Sequence, residues 1–225
     1  MLFGVSLILL VSACAPKMST KIAEFPAMYE ENPKAILILP PMNESTAADA
    51  KEYYSTTIQE PLAYYGYYTL PYPITADILK REGLYDSELL MDMPLAKFRE
   101  YFGADAVLFT TIKKWDLSYI VLASNLTVSI DCKLKSTISD QTLWSYTGTV
   151  VVDLSGGNSG GGVAGLIVQA IVTAVNASMA DYVPYARQAN YSALISMPYG
   201  EHHAQHNQDQ AVQFIDQTPE ENKKL

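Results

Sequence analysis

The pattern of apolar and polar positions divides the first part of this chain into a strand and a helix. The uninterrupted apolar run Ala35–Leu39 predicts a buried strand, and the two prolines that follow stop it. Apolar residues then recur at every fourth position from Ala50 to Leu62, which predicts one helix over about 47–63 with an apolar side. Pro61 lies near the end of this helix, where it predicts a kink.

The middle of the chain predicts short elements followed by three long strands. Leu126–Leu134 alternates apolar with polar residues, which is typical of a strand with one buried and one wet face. A tight turn is expected at Ser139–Gln141, before the third long strand. The predicted strands are Tyr67–Leu70, 104–117, 120–137 and 141–154, and the predicted short helices are 75–82, 87–93 and 94–102.

The C-terminal third predicts two helices and a polar tail. A long helix is expected from Gly162 to Ala180, and a second one from Tyr185 to Ser196. The order of elements predicts an α/β fold, with a mixed sheet of about five strands flanked by helices and a long buried C-terminal helix. We expect a single α/β domain over 34–198, and we expect 199–225 to be a polar, disordered tail.

The N-terminal residues have the pattern of a lipoprotein signal. The apolar run Leu2–Val11 is too short to span a bilayer, and it ends in the lipobox-like sequence Val11–Cys14. Residues 1–13 are therefore predicted to be a signal peptide, Cys14 the site of lipidation, and 14–33 a polar tether. Ala15, in place of aspartate, favours transfer to the outer membrane, with the domain facing the periplasm or the cell surface.

Charge excludes one class of partner. The formal net charge is −9 and no basic cluster is present, which argues against binding nucleic acid. Membrane attachment is therefore expected to come from the lipid on Cys14, and the sequence indicates no cofactor.

The segment that begins at Ser155 contains Gly160, Gly162 and Gly165 in the spacing of a dinucleotide-binding turn. The second strand that such a site requires is missing, since the residues that follow are predicted to be helical. A membrane span is disfavoured because polar side chains interrupt the apolar run three times. We interpret the segment as a buried helix that also contacts a neighbouring subunit, with candidate interface residues Gly161, Gly165, Ile171 and Val175.

Candidate chemistry is sparse. The three histidines, His202, His203 and His206, all lie in the predicted tail. His202 and His206 could chelate a metal only if the tail were helical, which its composition does not favour. Cys132 is expected to be a small strand residue. The sequence therefore designates no catalytic residue and no metal ligand.

Tyrosine is concentrated in one segment, with seven of sixteen tyrosines between Tyr53 and Tyr72. Three adjacent pairs occur there, and neighbours in a strand point to opposite sides, so the pairs cannot all face one core. Tyrosine suits interfaces because its ring is apolar and its tip polar. Tyr53, Tyr64 and Tyr68 are therefore candidate interface residues.

Together, the lipobox, the strand "KAILILPPMNES", the segments "GYYTLP" and "FGADAVLFTTIKKWD", and the glycine segment followed by "AGLIVQAI" resemble a family of bacterial outer-membrane lipoproteins of unknown function, typified by a meningococcal surface lipoprotein antigen. The resemblance covers about Lys34–Pro198. It implies a fold like the TolB N-terminal domain and the curli secretion-channel lipoprotein, and a role in envelope transport or assembly as an oligomer, alongside a curli-channel-like lipoprotein. It implies no catalytic residues.

Two classes of function follow. The first is a non-enzymatic outer-membrane lipoprotein that forms a homo-oligomer and binds other envelope lipoproteins. The second is a periplasmic small-ligand-binding module, or a hydrolase or regulator acting on the cell wall.

Overall fold

The computed structural model describes residues 18–84, 87–120, 123–153 and 183–215. They form a six-stranded mixed sheet with helices on both faces and a separate two-stranded ribbon. The strands are β1 Met18–Thr20, β2 Ala35–Ile38, β3 Met42–Asn43, β4 Tyr68–Thr69, β5 Ala106–Ile120, β6 Ala123–Ser136, β7 Thr142–Asp153 and β8 Gln213–Ile215. The helices are α1 Lys21–Glu24, α2 Pro26–Glu31, α3 Ala50–Thr57, α4 Gln59–Tyr64, α5 Tyr72–Arg81, α6 Ser87–Met91, α7 Leu95–Phe102 and α8 Val183–Ala193, and α8 continues into a 3-10 turn, Leu194–Ser196.

The sheet joins a parallel half to an antiparallel half through β5. Strand order is β4-β2-β5-β6-β7, with β3 paired to the middle of β5, beyond the residues that pair with β2. β2 runs parallel to β4 and β5, whereas β5, β6 and β7 form an antiparallel meander. The turn between β6 and β7 contains Asp140 with φ 60°, close to where the sequence predicts it. The predicted mixed sheet flanked by helices is confirmed.

Strand alternation sends side chains to two separate cores. Ile36, Leu108 and Ile130 lie in the larger core beneath α3 and α8, while Leu37 and Val107 point to a smaller core beneath α5, α6 and α7. The apolar side predicted for the first helix is confirmed, because all four of its residues are buried in the larger core: Ala50, Tyr54, Ile58 and Leu62.

The first long helix is divided in two, where the sequence predicts one kinked helix. α3 ends at Thr57 and α4 begins at Gln59. Pro61 has no N–H to donate to the carbonyl of Thr57, and its ring crowds that carbonyl. The interruption therefore falls one turn before the proline.

A β-bulge in β5 changes which side chains of this strand face the larger core. The register with β6 shifts between Ile112 and Lys114. The extra residue rotates the strand, so that Ile112 and Trp115 both reach the larger core although their spacing is odd.

The prediction of a polar tether over 14–33 is wrong for residues 18–33. β1, α1 and α2 occupy them, and Phe25 and Met28 are buried in the larger core. Spacing hid this because α1 and α2 are too short to show a helical period.

The prediction of a disordered tail over 199–225 is wrong for residues 199–215. These residues form hydrogen-bonded turns and then β8, which pairs antiparallel with β1. We call β1 and β8 the terminal ribbon. Phe214 anchors it, since its ring stacks on that of Phe25 with centroids 5.7 Å apart. Phe214 thus attaches β8 to the larger core although the average composition of 199–215 is polar.

Candidate binding surface

The adjacent tyrosine pairs each divide between core and surface. Tyr54, Tyr65 and Tyr67 are buried. Of their neighbours, Tyr64 has an exposed fraction of 66% and Tyr68 one of 58%. The inference that these pairs cannot all face one core is confirmed.

Tyr64 lies at the centre of a group of rings contributed by three parts of the chain. Its ring centroid is 5.8 Å from that of Tyr191 on α8 and 6.2 Å from that of His203. His203 stacks on Tyr199 at 3.7 Å, and Tyr199 lies 5.3 Å from Tyr65. We call these five residues the aromatic cluster. Edge-to-face and stacked contacts of this kind hold a ring in one orientation, so Tyr64 is presented to solvent from a fixed base.

Two glycines dock the tail against the tyrosine-rich segment. Gly66 has φ 88°, a conformation that favours glycine. The amide of Gly200 donates to the carbonyl of Tyr65 at 2.8 Å, and the amide of His202 donates to that of Gly66 at 3.1 Å. A Cβ atom on Gly200 would lie 2.6 Å from the Gly66 oxygen. The two backbones therefore meet at a distance that only glycine permits, and this crossing places His203 against Tyr64.

A buried ion pair lies beneath the aromatic cluster. Lys21 Nζ is 3.1 Å from Asp209 Oδ2, and both side chains are almost fully buried. Lys21 also donates to the Met197 carbonyl at 2.7 Å, and its ammonium lies 4.3 Å from the Tyr199 ring centroid. Asp209 accepts further hydrogen bonds from the Tyr29 hydroxyl at 3.2 Å and the Tyr199 amide at 2.9 Å.

Electrostatics at this pair reflect competition between burial and attraction. Burial lowers the pKa of Lys21, and the hydrogen bond and charge of Asp209 oppose that shift. Burial also raises the pKa of Tyr65, so its hydroxyl stays neutral. The pair joins residues 188 positions apart in sequence and thereby ties the first described residues to the last.

The other predicted interface residues lie elsewhere. Tyr53 is half-buried and stacks on Trp115 with centroids 6.1 Å apart, and Tyr68 belongs to β4 at the edge of the sheet. Four more candidates, together with Cys14, lie outside the described residues: Gly161, Gly165, Ile171 and Val175.

Sequence reasoning missed most of the partners of Tyr64. Tyr191, Tyr199 and His203 are not selected by any spacing, because they approach Tyr64 only through the tertiary fold. Tyr65 and Tyr199 are each followed by glycine, but Phe102 is as well, so this pairing does not select them.

Cys132 is a buried strand residue, as the sequence predicts. Its sulfur lies 3.6 Å from the Thr110 hydroxyl and 3.9 Å from that of Tyr54. Burial raises the pKa of the thiol to about 12. The thiolate that nucleophilic chemistry requires is thus disfavoured here.

The histidines lie in turns and form no metal-binding group within the described part of the chain. No set of three or more histidine, cysteine, aspartate or glutamate side chains there is placed to hold a metal ion. Residues 201–210, which include all three histidines, form turns, and His206 Nδ1 lies 2.8 Å from the Tyr199 carbonyl oxygen. Among the same described residues, no helix has the length and apolar character needed to cross a membrane.

Comparison with known proteins places the chain in one family. The model of the family described as "putative lipoprotein GNA1162-like" matches residues 23–201. A protein described as a putative lipoprotein from Neisseria meningitidis serogroup B is 29% identical over 181 residues, which cover 80% of this chain and 83% of the relative.

Solved structures include a member of the same family. The crystal structure of lipoprotein GNA1162 from Neisseria meningitidis is 30% identical, with a TM-score of 0.52, and the match covers 61% of this chain and 94% of that one. The PelC dodecamer from Paraburkholderia phytofirmans is 13% identical, with a TM-score of 0.44 over 74% of this chain and 89% of that one. Because the GNA1162-like family model matches most of the length of this chain, the chain belongs to the GNA1162-like lipoprotein family.

Proposed function

We propose that this chain is an outer-membrane lipoprotein, anchored through Cys14, that acts as a non-enzymatic component of envelope transport or assembly by binding other envelope proteins. The observation that carries the proposal is the aromatic cluster. Tyr64 is two-thirds exposed while its ring is held by Tyr191 and His203. Membership of a lipoprotein family supports the anchor.

An exposed ring that is already fixed is well suited to binding a protein. Tyrosine loses little conformational entropy when it is buried, and a ring held in place before binding loses less still. Charged groups surround the cluster, including the ion pair between Arg187 and Glu60 at 2.7 Å. An aromatic centre with a polar rim is the usual anatomy of a protein–protein contact.

The experiment is affinity capture of the lipidated protein from detergent-solubilised envelopes, quantified by mass spectrometry. Tyr64→Ser should reduce recovery of its envelope partners by about tenfold, the loss typical of a buried tyrosine at the centre of an interface. Tyr101→Ser is the matched control, because Tyr101 has a similar exposed fraction of 63% but lies on α7. Equal recovery with both variants would show that the aromatic cluster is not the contact surface.

The same proposal includes self-association through the glycine segment and the residues after it. Ile171→Glu would place a charge at this contact, and its cost would appear as loss of the oligomer in native mass spectrometry. An oligomer of unchanged size in that variant would remove the segment from the interface.

A further inference from the structure

The terminal ribbon exposes an unusual set of apolar side chains. Met18 and Ile215 have exposed fractions of 52% and 53%, and Ile22 and Val212 are also exposed. Met18 and Ile215 are direct partners across the ribbon, so their side chains share one face. Lys21 donates its backbone N–H to the Val212 carbonyl, so Val212 lies opposite Lys21, and strand alternation does not place it on the face of Met18 and Ile215. We call the pair Met18 and Ile215, together with the exposed Ile22 next to β1 on α1, the ribbon patch.

The orientation of this face is fixed by the residues between. Ser19 and Phe214 are the next partners along the ribbon, and their side chains point the opposite way. Phe214 points into the larger core and stacks on Phe25. Because Phe214 anchors the inner face, Met18 and Ile215 are held outward.

The position of the ribbon patch along the chain indicates what covers it. Four peptide units separate Cys14 from Met18. A chain extends by at most about 3.3–3.6 Å per residue, so the Cα atom of Met18 can lie no more than roughly 14 Å from that of Cys14. A lipid on Cys14 therefore keeps Met18 within roughly 14 Å of the membrane surface, so the ribbon patch is within reach of the headgroup layer.

We propose that the ribbon patch rests on the surface of the bilayer that holds the lipid on Cys14, which fixes the orientation of the domain on the membrane. This inference rests on the proposed anchoring through Cys14. Apolar side chains at the boundary between headgroups and acyl chains add to the binding that a lipid anchor provides. The contact requires no basic residues, in keeping with the net charge of −9.

The test measures the depth of single side chains on the lipidated, full-length protein in phosphatidylcholine vesicles. A nitrobenzoxadiazole dye is attached to Ile215→Cys, and spin-labelled phosphatidylcholine serves as the quencher. Labelling is selective because Cys132 is buried. Ile78→Cys is the matched control, since Ile78 is 42% exposed but lies on α5, which covers the opposite face of the sheet.

We expect blue-shifted emission at position 215 and quenching stronger than at position 78 by a factor of about two or more. Adding Met18→Ser should bring the quenching at 215 down towards that at 78. Equal quenching at 215 and 78 would overturn the proposal. So would a blue shift at 215 that requires high protein density and shows no quenching by lipid, because a second copy would then cover the ribbon patch.

The mass of the mature N-terminus separates this proposal from the one on which it rests. Absence of lipid on Cys14 would overturn both the anchor and the membrane contact. Lipid on Cys14 with equal quenching at the two positions would overturn only the contact. Neither result bears on partner capture through Tyr64.

Discussion

The central sheet and the terminal ribbon are held by different kinds of interaction. The sheet buries rows of aliphatic side chains on two faces, from partners joined by regular backbone ladders. The ribbon has only three residue pairs, and it is held by one aromatic anchor and one buried ion pair. Apolar burial is additive and tolerant, whereas a buried ion pair depends on both partners. One domain thus combines a core whose stability falls gradually as side chains are removed with a terminal connection that is lost when either charged partner is removed.

The largest expected effect comes from removing the charge of Asp209 while keeping its shape. Asp209→Asn leaves the Lys21 ammonium buried without its counter-charge, which costs about 3–5 kcal/mol. Hydrogen exchange should show loss of protection in 18–31 and 199–215, with β5 and β6 retaining theirs.

The double variant Lys21→Met/Asp209→Asn is the control for that effect, because it removes both charges together. It should recover most of the lost protection. Loss of protection across β5 and β6 in the single variant would contradict a separate role for the terminal ribbon.

Leu108→Ala should have an effect of similar or smaller size but a different distribution. Leu108 is fully buried in β5, and truncating a buried leucine costs about 2–5 kcal/mol. The loss should appear as a lower midpoint of denaturant unfolding for the whole domain. Loss of hydrogen-exchange protection in the ribbon alone would contradict the prediction that Leu108 stabilises the whole domain.

The glycine crossing lies between the two regions and allows a matched test. Gly66 and Gly83 have nearly the same backbone conformation, with φ 88° and 82°. A Cβ atom on Gly66 would collide with the backbone of His203 and Gly200, whereas one on Gly83 meets nothing within 4 Å. Gly66→Ala should therefore destabilise the domain by about 1–3 kcal/mol more than Gly83→Ala. Equal unfolding midpoints for the two variants would show that the crossing is loose.

The smallest expected effect concerns alkaline pH and the sheet alone. Burial raises the pKa of the Cys132 thiol from 9.0 to about 12. The unfolded thiol therefore loses its proton first, and the stabilisation from the neutral buried thiol is lost as pH rises from 9 towards 12. Between pH 8 and 10 the free energy of unfolding should fall by about 1 kcal/mol more in the parent than in Cys132→Ala. Equal slopes would contradict this assignment.

The sequence predicted correctly those elements in which many periodic apolar residues are buried together. In three elements the same type of residue recurs several times at a fixed spacing, so the element can be recognised from the sequence. They are the run Ala35–Leu39, the alternation from Leu126 to Leu134, and the apolar side of α3 and α4. The sequence did not predict segments whose position depends on a single long-range contact. Lys21 pairs with Asp209, which lies 188 positions away in the sequence, and neither residue belongs to a periodic pattern. Both also lie outside the range that the family model matches.

The candidate site was predictable to the same degree. The tyrosine-rich segment could be recognised by composition, and strand geometry accounts for the division of Tyr67 and Tyr68. The other two pairs divide because of their positions on α3 and α4. The partners of Tyr64 could not be recognised, because they come from α8 and from turns of polar composition. A tertiary crossing of two glycines brings them together, and no local propensity encodes that crossing.

The pairing of β1 with β8 brings together two segments that lie almost 200 positions apart in the sequence. Met18 and Ile215 are direct partners in this pairing. Under the proposed anchoring through Cys14, the chain therefore leaves the described domain at Ile215 on the anchored side. A reporter attached at the exposed Ile78 on α5, which covers the opposite face of the sheet, would leave the ribbon patch unobstructed.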